Sequence, residues 1–140
     1  MKNLIFKPLV LLLALSSFFS CKKAVDKIQE NAIFDIITNG RWVVTKFDVG
    51  TTPSLADYNG YEFQFFRNGV VTAFRSGSPD VNGTWQGNPQ NLSINSNFPG
   101  AGLPLDRFNG VWFITRTTEN TVDAFKTVGT QEYKLALQRL

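Results

Sequence analysis

Histidine is absent from this chain and cysteine occurs once, at Cys21. Base-assisted serine or cysteine nucleophiles and the usual zinc sites both need imidazole or several thiols, so neither chemistry is open here. Carboxylates remain, and two of them held a few ångströms apart are what glycoside hydrolysis requires. Asp57, Glu62, Asp80, Asp106, Asp123 and Glu132 are instead scattered over turns and outward strand positions. Phosphate-cradling and calcium-binding loops are missing. The expectation is a protein that is not an enzyme, with no catalytic residue, no metal and no cofactor.

The one position that does promise chemistry is Cys21. Lys2 and Lys7 precede an apolar run from Leu9 to Leu15, and Ser20 stands immediately before the cysteine. A basic start, a short apolar stretch and a small residue before the cut form the secretory pattern, and the run is too short for a spanning helix. Residues 1–20 therefore read as a lipoprotein signal peptide. The Cys21 thiol would take a diacylglycerol, and its freed amino group a further acyl chain such as palmitate. Phe18-Phe19-Ser20-Cys21 fill the four lipobox positions, with Phe18 where leucine is commonest. The alternative is an ordinary signal peptide cut near Ser20 that leaves a free thiol, a liability in an oxidising compartment. More than one acyl chain gives stable anchoring, and Lys22 and Lys23 would lie against the headgroups. An acidic run after the cysteine marks surface export in some Gram-negative groups. Here the run is basic, so the expected location is the outer membrane of the envelope, facing the periplasm.

Without residues 1–20 the chain keeps 12 basic side chains against 11 acidic ones. That balance, with no basic stripe and no interleaved aromatics, argues against a nucleic-acid partner. The remaining length suits one domain with a core that needs no disulfide. From Ala24 to Thr38, Val25, Ile28, Ala32, Ile33, Ile36 and Ile37 recur at three- and four-residue steps, which predicts an amphipathic helix ended by Asn39-Gly40. Asp26, Glu30 and Asp35 on its polar face favour packing on the domain over lying on lipid. Residues 21–39 thus form the lipidated N-terminus and helix, and 40–140 the main domain.

After Gly40 the period changes to two. Eight strands are expected, at 41–49, 60–66, 70–75, 83–86, 91–95, 111–117, 121–127 and 131–140, with tight turns at Asn68-Gly69 and Glu119-Asn120. Eight antiparallel strands in meander order behind one short helix most simply close into an up-and-down barrel, which leaves no unpaired edge. A two-sheet sandwich uses the same alternation and stays open as the alternative.

Gly40-Arg41-Trp42 at the first strand resembles the Gly-x-Trp of lipocalins. Arg139 matches the basic residue that in lipocalins stacks across that tryptophan, a cation–π contact worth about 0.5 to 2 kcal/mol. Arg139 also shares the phase of Tyr133, Leu135 and Leu137. The order Gly60-Tyr61-Glu62-Phe63-Gln64-Phe65, Asn68-Gly69-Val70-Val71, Gly83-Thr84-Trp85 is similar to the small lipocalin-like lipoproteins of Gram-negative bacteria. The resemblance covers Cys21 to Leu140 and implies the barrel more firmly than any activity. The strands are shorter than in transport lipocalins, which argues against a roomy cup.

The phases predict that Trp42, Val44, Lys46, Tyr61, Phe63, Phe65, Trp85, Leu92, Ile94, Trp112, Ile114, Tyr133, Leu135 and Leu137 face inward, Lys46 at one mouth. An eight-stranded interior either fills with side chains or holds one small ligand. Two functional readings follow. In the first, Trp42, Phe63, Phe65, Trp85, Trp112 and Tyr133 line a site for a small apolar or amphipathic ligand, with the 96–109 loop as a lid. In the second, the barrel is solid, the loop with Phe98, Leu103 and Leu105 is a plug, and the protein is an accessory envelope lipoprotein that meets a protein partner. An interior void of at least roughly 300 Å³ separates the first from the second.

Overall fold

The computed structural model describes residues 31–140. The signal peptide, Cys21 and the first part of the expected helix lie outside the described residues. Residues 31–37 are helical. The helix ends where the Thr38 amide and hydroxyl both donate to the Phe34 carbonyl, at 3.1 and 2.5 Å, and Gly40 at φ 84° turns the chain into the first strand. Its apolar face packs on the domain: Ile37 is buried, and the Phe34 ring lies 5.1 Å from that of Trp85.

The strands are β1 (Trp42–Val49), β2 (Thr52–Pro53), β3 (Tyr61–Phe65), β4 (Val70–Arg75), β5 (Val81–Asn88), β6 (Ser93–Asn97), β7 (Gly110–Thr117), β8 (Thr121–Val128) and β9 (Gln131–Arg139). β2 is a two-residue arm on the end of β1. The other eight pair antiparallel in sequence order, and β1 pairs β9 from Trp42↔Arg139 to Val49↔Tyr133, which closes the barrel. The chain is mainly β, as the alternation predicts, and the closure rules out the open sandwich.

Two positions depart from the expected phase. A bulge between Val44 and Lys46 adds a residue to β1, so Lys46 turns outward and pairs with Asp48 at 3.5 Å, while Phe47 takes the buried inward place. A bulge reverses the alternation beyond it, which a strict period of two does not anticipate. Leu92, expected inside, has a left-handed backbone at φ 51° and is 44% exposed, because the turn into β6 carries it outward. Ile94 and Ser96 take the inward places of that strand and are buried.

Both ends are closed. The helix covers the end where β1 begins and β9 finishes. At the other end the short helical turns Leu55–Tyr58 and Leu105–Phe108 bring in Tyr58, Phe98, Leu105 and Phe108, all buried. The 96–109 stretch is therefore a plug, and Leu103 is its large hydrophobic side chain left in solvent. β5 accommodates it through Gly83, where an added Cβ would lie 2.4 Å from the Asn97 carbonyl oxygen and 2.8 Å from Cδ1 of Phe98. Gly83→Ala is expected to lower the urea-unfolding free energy by about 1 to 3 kcal/mol by overpacking at this seam; an unchanged midpoint would show that the plug yields there freely.

Candidate functional site

Trp42, Phe63, Phe65, Trp85 and Trp112 point inward and are buried, and Tyr133 points inward half-buried at the plugged end. They pack on one another and on the closures. Phe108 sits at the centre of one cluster, stacked on Phe63 at 4.5 Å between ring centroids and within 6.4 Å of Phe47, Tyr58, Phe98 and Trp112. Phe34, Phe65 and Trp85 form a second cluster at the helix end. Offset and edge-on rings of this kind gain about 0.5 to 1.5 kcal/mol per pair beyond area burial.

Among the described residues, the void that these inward side chains border measures about 30 Å³, room for little more than a water molecule. Ile37, Phe65, Ile94, Phe108, Trp112 and Leu137 are among its walls, and its one hydroxyl, Ser96, donates to the Phe108 carbonyl at 2.5 Å. Of the six residues expected to hold a ligand, Phe65 and Trp112 border this space.

The plug is fastened by side chains that take its carbonyls. Tyr58 donates to Pro104 at 3.0 Å, and Trp112 Nε1 donates to Phe108 at 2.8 Å. Lys126 Nζ donates to the carbonyls of Arg107 and Asn109, the latter at 2.7 Å. Arg107 also meets Asp57 at 2.7 Å, tying the two end loops together. Burial pushes the Tyr58 phenol far above its ordinary range.

Lys126 is the unexpected member. It follows Val122 and Ala124 in the inward phase of β8 and is only 5% exposed. Its ammonium lies 4.6 Å from the Trp112 ring centroid and 5.0 Å from that of Tyr133, so two carbonyls and two aromatic faces surround it. Burial lowers its pKa from 10.5 to about 8, opposed by the negative field of Asp106. The alternation alone would have found this residue had a charge been allowed inside. Phe47, Tyr58 and Phe108 were hidden by a bulge and by irregular loops.

Trp42 and Arg139 are direct partners across β1 and β9. The guanidinium donates to Asn120 Oδ1 at 2.7 Å, while the Trp42 indole donates to the Ile37 carbonyl at 2.9 Å. The Arg139 stem passes 3.4 Å from where a Cβ on Gly40 would lie. Among the described residues the cation–π pairs are Arg41–Phe74, Arg75–Tyr61 and those of Lys126, so the contact drawn from the lipocalin resemblance is not among them. Among the described residues no group of His, Cys, Asp or Glu could hold a metal ion, and no helix is long and apolar enough to cross a membrane.

No family model matches this sequence, and no curated protein does. Among solved structures, a DUF4847 family protein from Bacteroides vulgatus superposes with a TM-score of 0.57 at 16% identity, covering 76% of this chain and 96% of that one. The likeness is one of fold: an eight-stranded antiparallel barrel.

The buried amine gives a pH signature. Between pH 8 and 10.5 the unfolded chain still holds the Lys126 proton while the folded chain has released it. Unfolding therefore takes up a proton, and the folded state gains stability as pH rises through that window. Below pH 8 both states are protonated and the burial penalty is present in full. Urea titrations of the native protein minus those of Lys126→Met are expected to climb between pH 8 and 10.5 by up to a few kcal/mol. Parallel curves would mean that the carbonyl and aromatic cage fully offsets the burial.

Proposed function

We propose that this chain is a lipid-anchored envelope protein whose lipocalin-like barrel works through its outer surface, without catalysis or cofactor. The observation that carries this reading is the filled interior. A void of about 30 Å³ is an order of magnitude below the roughly 300 Å³ of the smallest usual ligand sites. The anchor is supported by the Lys2-to-Cys21 pattern, and the periplasm-facing leaflet by Lys22 and Lys23.

A second reading, in which the barrel takes a small apolar or amphipathic ligand, rests on one feature. The void lies directly beneath Phe108, so withdrawal of the plug would enlarge it between Phe65, Trp112 and the β8–β9 wall. Such movement must break the carbonyl bonds made by Tyr58, Ser96, Trp112 and Lys126.

Native mass spectrometry of the protein released gently from its own membranes decides between them. The expected spectrum shows the chain with its covalent lipid and nothing else at near-equal stoichiometry; a defined small molecule would establish the second reading. Cys21→Ser is expected to remain uncleaved or become soluble. Ordinary membrane fractionation of that variant with incorporation of a lipid precursor would refute lipidation at Cys21.

A further inference from the structure

The outer wall of β7, β8 and β9 carries an apolar centre with a charged border. Phe113 and Phe125 are direct cross-strand partners with ring centroids 5.7 Å apart. Phe113 is 38% exposed and Val111 42%. Phe125 is opposite Lys134 on β9, so Phe113, Phe125 and Lys134 form one row across three strands. Two residues nearer the plugged end, Thr127 opposite Glu132 forms the next, and Val111 stands two residues before Phe113 on β7. Beside these rows opens a groove of about 480 Å³, with Phe125 and Ala136 among its lining and Lys46, Lys134, Asp123 and Glu132 at its edges.

We propose that this wall is a self-association surface on which a second copy of the chain docks about a two-fold axis; the proposal rests on the outer-surface reading and names the partner. Two lysines and two carboxylates around the groove make it neutral, which offers little to a strongly acidic or basic partner but complements itself. The register shows how. A two-fold axis crossing the strands midway between the two rows lays each row of one copy over the other row of its partner. Phe113 then covers the partner's Val111, and Phe125 covers the partner's Thr127. Lys134 meets the partner's Glu132, and the symmetry repeats that ion pair. Within one chain Lys134 and Glu132 already lie 3.2 Å apart, so in the dimer the two exposed intrachain pairs are exchanged for two across the interface. Apolar aromatics at the centre with charges at the rim are the ordinary anatomy of such a contact. Anchoring copies to one membrane would raise their effective concentration and make a small patch sufficient.

The test is cross-linking of the full chain in its own membranes. Thr127→Cys, treated with a short thiol-to-thiol linker, is expected to give a dimer-sized product. Adding Lys134→Glu should reduce it at least tenfold, because two carboxylates then face each other twice, and adding Glu132→Lys to that variant should restore it. The parent chain reports any background from Cys21, and Gln64→Cys on β3 reports chance collisions. Equal product from Gln64→Cys, or product indifferent to Lys134→Glu, would overturn self-association. A heavier heterologous product from Thr127→Cys in place of the dimer would overturn this proposal and leave the outer-surface reading standing. No product of any kind would count against both.

Discussion

An indole N–H buried in an apolar barrel must find an acceptor, and in this protein each of three tryptophans finds it on a segment outside the strand that carries it. Trp42 donates to the carbonyl of Ile37 at the end of the helix, Trp85 to that of Phe66 in the β3–β4 hairpin, and Trp112 to that of Phe108 in the plug. Leaving one such donor unpaired costs about 1 to 3 kcal/mol, so wall and closures are mutually dependent. The same side chains that fill the interior hold its two covers in place. A cup open at the helix end would leave the Trp42 donor without its partner, and one open at the plugged end would do the same to Trp112.

The plug shows how a loop of glycines and prolines becomes core. Phe98, Leu105 and Phe108 supply apolar volume, while Ser96, Tyr58, Trp112 and Lys126 supply hydrogen bonds to the carbonyls that irregular backbone leaves free. A lysine suits this task because its ammonium offers three donors on a long apolar stem, which crosses the interior before the charge must be satisfied. The arrangement places these buried hydrogen bonds at the plugged end of the interior.

Much of this was readable from residue order. The change from a helical period to a period of two at Gly40, and the turn residues between strands, predict the eight main strands to within a few residues and the meander that joins them. The six aromatics expected to line a ligand site do turn inward. Lys46 and Phe47 exchanged places because a bulge is a property of pairing with β9 and has no local signal. Leu92 was misplaced because a left-handed residue reverses direction without needing glycine. The plug's role depended on Gly83 opposite it, a contact between segments fourteen residues apart that no periodicity reports. Lys126 was visible in phase but contradicts the rule that charges stay outside.

The pairing of β1 with β9 joins the two extremes of the domain. Until Gln131–Arg139 is available, β1 and β8 each present a free edge, the kind of surface on which extended chains assemble wrongly. A ring closed by β9 therefore cannot complete itself before that strand has emerged, and contacts so distant in sequence make closure slow. Between emergence and closure those two edges stand open to wrong pairing, and loss of β9 would make that exposure permanent.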